Sequence, residues 1–164
     1  MHLTRRSVLL GVAALTAAIG PARAQGAAEA ARRFINDLGR ETVSILQAAA
    51  ATTAKASRLE DLFRRGFDFE AIGRFVLGRY WTTATPAQRQ AFLTAFTDFV
   101  TRSYAQRLSG ETVTGFTVTS IRDLGEGDFL VQTGITRPNT AQLNYEWRVR
   151  QGPNGMKITD VIVE

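Results

Sequence analysis

Residues 62–104 read LFRRGFDFEAIGRFVLGRYWTTATPAQRQAFLTAFTDFVTRSY, and the placement of aromatic side chains in this stretch decides the fold. Ten of the chain's fifteen aromatic residues lie here: Phe63, Phe67, Phe69, Phe75, Tyr80, Trp81, Phe92, Phe96, Phe99 and Tyr104. That much bulky apolar surface on closely spaced helices either fills a core or lines a cavity. Which of the two it does is the functional question.

The stretch is punctuated by helix signals. Ser57-Arg58-Leu59-Glu60 has the form of a capping box. It predicts a short helix with Leu59, Leu62 and Phe63 inward, Arg64 and Arg65 at its negative end, and Gly66 as its stop. Asp68 reads as the next N-cap, with Glu70 in the first turn and Ile72, Phe75, Val76, Arg79 and Tyr80 stepping along the helix. Gly73 and Gly78 fall inside that span, each less favourable than alanine by about 1 kcal/mol. They predict either a neighbour packed close against the backbone or a loosely formed helix. Thr85-Pro86-Ala87-Gln88 opens a third helix with a threonine cap and proline in the first turn. Phe92, Leu93, Phe96, Phe99, Val100, Tyr104 and Leu108 make its apolar face, with Thr94, Asp98, Thr101 and Arg102 off that face and Gly110 as terminator.

Upstream, residues 27–50 carry an apolar stripe (Ala31, Phe34, Ile35, Leu38, Ile45, Leu46, Ala49) that predicts a long helix, ended by residues 51–56. Residues 1–24 read as an export signal: Arg5 and Arg6, the apolar run Val8–Ile19, then the small-x-small pattern Ala22-Arg23-Ala24, so that the mature chain begins at Gln25. The apolar run is too short for a comfortable membrane span. Arg5-Arg6 also resembles a twin-arginine signal. Downstream of Gly110 the period falls from 3.6 to 2. Phe116, Val118 and Ser120 alternate with Thr117, Thr119 and Ile121, and Gly125-Glu126-Gly127-Asp128 is a turn. Phe129 to Ile135 forms a second strand that ends near Pro138-Asn139. Leu143, Tyr145, Trp147 and Val149 alternate in a third, and Asn154-Gly155 signals a hairpin into a fourth, Met156–Glu164.

A length of 164 residues suits one domain with a sizeable core. Removing the signal lowers the formal charge from +5 to +2, because it takes three arginines and no acid. The remaining charges are interspersed, which argues against a nucleic-acid stripe. There is no Cys, and the only His is His2, in the signal. That excludes disulfides, thiolate nucleophiles, an imidazole base and zinc sites built on His or Cys. The pattern as a whole predicts an α+β fold: N-terminal helices packed on a four-stranded antiparallel sheet, cone-like and cystatin-like, with Phe96 and Tyr104 facing Tyr145 and Trp147 across an apolar cavity.

Val76-Leu77-Gly78-Arg79-Tyr80-Trp81, then Thr85-Pro86-x-Gln88-Arg89, Phe92-x-x-x-Phe96, Tyr104-Ala105 and the ending Ile158-x-Asp160-Val161-x-Val163-Glu164 resemble the MlaC family, the toluene-tolerance auxiliary proteins of an ABC-type transport system. The resemblance runs over about residues 30–164, and a branch associated with hopanoid synthesis loci is similar. It implies a soluble periplasmic carrier, not an enzyme and without cofactor or metal. Such a carrier holds phospholipid tails inside the cone and moves the lipid between an outer-membrane lipoprotein–porin complex and the substrate-binding subunit of an inner-membrane ABC transporter. The family pattern continues into a Gly-Val-Ser-Leu segment and a terminal helix that would complete the pocket wall, whereas this sequence stops at Glu164.

Two acyl chains of about sixteen carbons hold roughly thirty methylenes, each worth about 0.8 kcal/mol on burial. A gain of that order approaches the ceiling for non-covalent affinity, so release needs a partner, and motion at Gly73 and Gly78 is one means. The tail-contact candidates are Phe75, Val76, Tyr80, Trp81, Phe96, Val100 and Tyr104 from the helices, with Val131, Tyr145, Trp147 and Ile158 from the sheet; each also suits ordinary core packing. Arg74 and Arg79 are the head-group candidates, as phosphate donors, and both also suit surface salt bridges. Two alternatives stand beside the carrier. One is a small isomerase-like enzyme pairing a buried Asp160 with Tyr80, Tyr104 or Tyr145. The other is a periplasmic protein-binding module.

Overall fold

The structure, a computed structural model, describes residues 20–163, with side chains from Gln25 onward. The charged and apolar parts of the expected export signal lie outside the described residues. Five helices precede four strands: α1 (Gly20–Gln47), α2 (Thr52–Gly66), α3 (Phe69–Leu77), α4 (Tyr80–Thr83), α5 (Pro86–Ser109), β1 (Gly115–Gly125), β2 (Asp128–Thr136), β3 (Leu143–Gly152) and β4 (Gly155–Val163). No described helix is long and apolar enough to cross a membrane. The strands form one antiparallel meander in the order β1-β2-β3-β4. Turn chemistry sets its register. Glu126 and Gly127 both take positive φ between the paired Gly125 and Asp128, the geometry of a two-residue hairpin. Gly152 pairs with Gly155, whose φ of 95° follows the Pro153-Asn154 corner.

The alternation places Phe129, Val131, Val149 and Ile158 on one face of the sheet, where they bury Ala31 and Ile35 of α1. A second cluster joins the C-terminal end of α1 (Ile45, Leu46) to Ala56, Leu59 and Leu62 of α2, Ala105 of α5 and Val113. The sheet is therefore covered by α1 first, and the remaining helices stack outward from it.

Two local expectations are corrected, and one open pair of alternatives is resolved. The capping box at Ser57 does not form: α2 already begins at Thr52, and Ser57 lies within it, donating to the Thr53 carbonyl at 3.2 Å. Residues 52–56 are drawn into the helix because Ala56 packs in the second cluster, while Lys55 Nζ donates to the Leu46 carbonyl at the end of α1 (2.7 Å). Gly78 is not inside a helix. α3 ends at Leu77, and Gly78 caps it at a φ of 54°, its N–H donating to the carbonyls of Arg74 and Phe75. Gly73 is inside α3, and a Cβ there would lie 2.6 Å from Leu93 Cδ2, so a close neighbour rather than looseness explains it. The caps at Asp68 and Thr85 form as expected, the latter as a full capping box with Gln88.

The outer face of the sheet is polar. Ser120 donates to Gln132 (2.5 Å), which donates to Glu146 (2.6 Å). At its corner, buried Asp128 accepts from Arg150 at 2.6 and 2.8 Å and from Arg148 at 3.2 and 2.9 Å. Hydrogen bonds from Arg150, opposed by burial and joined by those from Arg148, hold the Asp128 carboxyl below the usual carboxylate range. A depressed folded pKa stabilises the protein above the unfolded pKa of about 4, and that contribution is lost as pH falls further. Asp128→Asn is expected to lower stability at pH 7 by about 2 kcal/mol. It should also flatten the acid limb of a stability profile measured by urea unfolding; an unchanged acid limb would assign that limb to other carboxylates.

Candidate functional site

α5 carries two faces, and it buries the less obvious one. Thr101, Ala105 and Ser109, spaced at i, i+4 and i+8, are its buried residues. They belong to the face that packs on α2, where Ala105 meets the Ala56–Leu59–Leu62 side. Small side chains let the two helices approach closely, and both hydroxyls are satisfied within the helix, Thr101 donating to the Thr97 carbonyl and Ser109 to that of Gln106, each at 2.8 Å. Arg64 of α2 pairs with Asp98 at 2.8 Å across the same contact. Thr101 was expected off the packed face and lies at its centre.

Helical spacing then turns Phe92, Phe96, Phe99, Val100 and Tyr104 away from α2. At the N-terminal end α3 covers them: Leu93 closes on Gly73, Phe96 meets Phe69 edge-on at 6.4 Å, and Phe92 stacks on Phe96 at 5.5 Å. Towards the C-terminal end nothing among the described residues covers the face, and Phe99 is 71% and Tyr104 62% exposed. α5 packs on α2 and α3 without substantial contact with the sheet, so the expected closure of Phe96 and Tyr104 onto Tyr145 and Trp147 is not seen.

Tyr145 and Trp147 stack at 5.8 Å on the helix-facing side of β3, and Trp147 Nε1 donates to buried Thr133 at 2.8 Å. They are half-buried beside the part of the sheet that α1 covers. The two walls are joined by a line of rings. Phe67 bridges to Ile158 of β4, with Asp68 N–H donating to the Ile158 carbonyl at 2.9 Å. From Phe67, rings continue to Phe63 (5.9 Å), Phe69 (5.8 Å) and on to Phe96. The result is a line of aromatic rings that runs from β4 through Phe67 and Phe69 to Phe96 on α5.

The eleven tail-contact candidates therefore divide. Val131 and Ile158 are core residues under α1. Trp81, Phe96, Val100, Tyr145 and Trp147 are half-buried. Phe75, Val76, Tyr80 and Tyr104 are exposed, Phe75 to 85%. Phe75 points opposite the Gly73 side of α3, and the break at Gly78 carries Tyr80 out with α4. An open groove of about 480 Å³ runs between Leu77, Tyr80, Thr83, Ala84, Gln88 and Phe92. Another, of about 560 Å³, lies between α1 and Phe116 of β1, and none of the tail-contact candidates lines it.

Arg74 and Arg79 stand on ring faces. The Arg74 guanidinium lies 5.9 Å from the centre of Trp81, and that of Arg79 5.0 Å from Tyr80, whose hydroxyl it also reaches at 3.0 Å. Arg89 lies over Trp81 too, at 5.2 Å. Sequence reasoning missed Arg89 and also Phe67, Phe69 and Phe99; the spacing from Trp81 to the Thr-Pro-x-Gln-Arg segment was the available signal for the first.

Asp160 is exposed on the outer face, accepting from the Val161 N–H at 2.9 Å. A bulge at Thr159, between the pairs Arg148–Asp160 and Val149–Ile158, puts Ile158 inward and Asp160 outward. Tyr145 faces the other way, so the buried acid–tyrosine pair of the isomerase alternative does not form there. Among the described residues no group of three or more His, Cys, Asp and Glu side chains is placed to hold a metal ion.

The family profile described as MlaC protein matches residues 36–164. The intermembrane phospholipid transport system binding protein MlaC of Haemophilus influenzae is 25% identical over 99 residues, which cover 58% of this chain and 46% of that protein. The chain thus aligns with about half the length of that relative. The fold is similar to a phospholipid-binding protein from Ralstonia solanacearum solved in complex with a phospholipid, with a TM-score of 0.66 at 20% identity, covering 84% of this chain and 78% of that one.

Proposed function

The chain belongs to the MlaC family, and from that premise we propose that it is a periplasmic lipid carrier that shelters phospholipid acyl chains between α5 and β3–β4. The observation that carries this reading is the orientation of α5. A soluble helix ordinarily buries its largest apolar side chains; this one buries Thr101, Ala105 and Ser109 and leaves Phe99 and Tyr104 uncovered. Uncovered aromatic surface of that extent marks a binding face. Phe96, Val100 and Tyr104 form one wall for the tails, Tyr145 and Trp147 the other, and Val131 and Ile158 the packed floor behind them. The Haemophilus protein, a phospholipid transport binding protein, and the Ralstonia protein, solved with a phospholipid, support the same chemistry.

The partners we propose are the periplasmic substrate-binding subunit of an inner-membrane ABC transporter and an outer-membrane lipoprotein–porin complex. The cargo is the only bound group the reading requires. Organic extraction of the natively purified protein, followed by mass spectrometry, should recover a diacyl phospholipid at close to one per chain. A preparation with no acyl-bearing molecule, or with a protein bound one-to-one in its place, would overturn the reading.

A further inference from the structure

We propose that the outer surface of α3 and α4 is a docking face for an anionic phospholipid bilayer, with Phe75 as its insertion point. Phe75 is the most exposed of the large apolar residues described, at 85%, and Val76 and Tyr80 beside it are more than half exposed. Their neighbours are basic. Between Phe69 and Thr97 the charged residues are Glu70, Arg74, Arg79 and Arg89. None of the three arginines forms a salt bridge with a described acid, whereas Arg64, Arg65, Arg137, Arg148 and Arg150 all do. Instead they are held on rings: Arg74 and Arg89 over Trp81, and Arg79 over Tyr80. The Arg89 Nε is buried with no hydrogen-bond partner.

Exposed Phe75 and Tyr80 beside half-buried Trp81, flanked by arginines without a salt bridge, match the boundary between phosphates and acyl chains, where aromatic rings sit at head-group depth and guanidiniums meet phosphate. The ring contacts pre-organise the guanidiniums without neutralising them, which leaves their charge available for an anionic surface. An acidic protein would satisfy the charges but gives no reason for a phenylalanine so fully exposed.

The inference is separate from the carrier reading, because Phe75 lies on the side of α3 opposite Gly73 and none of Phe75, Arg74, Arg79 and Arg89 belongs to the walls proposed for the tails. The test is flotation of the full protein with vesicles of phosphatidylcholine alone and with phosphatidylglycerol added. Binding should appear only with the anionic lipid and weaken with salt. Arg79→Gln should weaken it about fivefold and Phe75→Ser about tenfold. Phe75, a tail candidate by sequence, is 85% exposed and Arg79, a head-group candidate, is held over the exposed Tyr80, so both stand outside the proposed tail walls; lipid extracted from the same variants reads the cargo separately, and it should be retained. Equal binding to both vesicle types, unchanged binding by Phe75→Ser, or loss of cargo together with vesicle binding would each overturn the proposal. So would an acidic protein that occupies this face while anionic vesicles do not.

Discussion

Tyr104→Glu is expected to empty the protein of lipid while leaving its fold intact. Tyr104 is 62% exposed near the C-terminal end of α5, on the face turned away from α2, so it adds little to the core. A surface substitution of this kind changes stability by about 0.5 kcal/mol or less. In the loaded protein as we propose it, however, the same position lies against hydrocarbon. A carboxylate there must be dehydrated without a partner, or the tails must withdraw, and either costs several kcal/mol. Lipid recovered by extraction should fall at least about a hundredfold, which corresponds to about 3 kcal/mol. Tyr104→Phe keeps the apolar surface and should retain the cargo. Undiminished lipid in Tyr104→Glu, with an unchanged melting curve, would move the tails off this face.

Gly39→Val should produce the largest loss of stability. Helix propensity alone favours a residue other than glycine in the middle of α1. Yet a Cβ at position 39 would collide with the ring of Phe116, which packs closely on the helix there. This close approach lets β1 pack against α1, and forcing side-chain volume into it costs about 3 kcal/mol. Urea unfolding of Gly39→Val, Phe116→Ala and the double variant forms a thermodynamic cycle. The double variant should be less damaged than the sum of the two single changes. Simple additivity would show that the two positions do not share the contact.

Much of the fold was legible because it rests on short-range rules. The caps at Asp68 and Thr85 bind backbone amides three residues away. The positive φ values at Gly127 and Gly155 belong to turns, and the period-2 pattern of β1 to β4 follows from the pleat. Each needs only its own neighbours in sequence. The capping box at Ser57 failed for the opposite reason: the competing start at Thr52 is favoured by the burial of Ala56 against α1 and α5, a contact invisible from within the segment. Asp160 was ambiguous because one bulged residue inverts the faces of a strand, and a bulge leaves no mark in hydrophobic alternation.

The candidate site was half legible. Cap signals and periodicity placed most of the aromatic residues on the helices between Asp68 and Gly110, without the break at Gly78, and set Tyr145 and Trp147 on one side of β3. Periodicity gives a helix its apolar face but not the partner that face meets. For α5 the partner was α2, and the contact used the small stripe Thr101–Ala105–Ser109 rather than the aromatic one. Local sequence thus determined the strands, the meander, the caps at Asp68 and Thr85 and the excess of apolar surface. Only tertiary packing decided which of that surface became core under α1, and which was left uncovered at Phe99 and Tyr104 of α5 and at Phe75. Burial is settled by competition among all the faces at once, and close approach of small residues can outweigh the larger area of rings that a ligand or a membrane is free to cover.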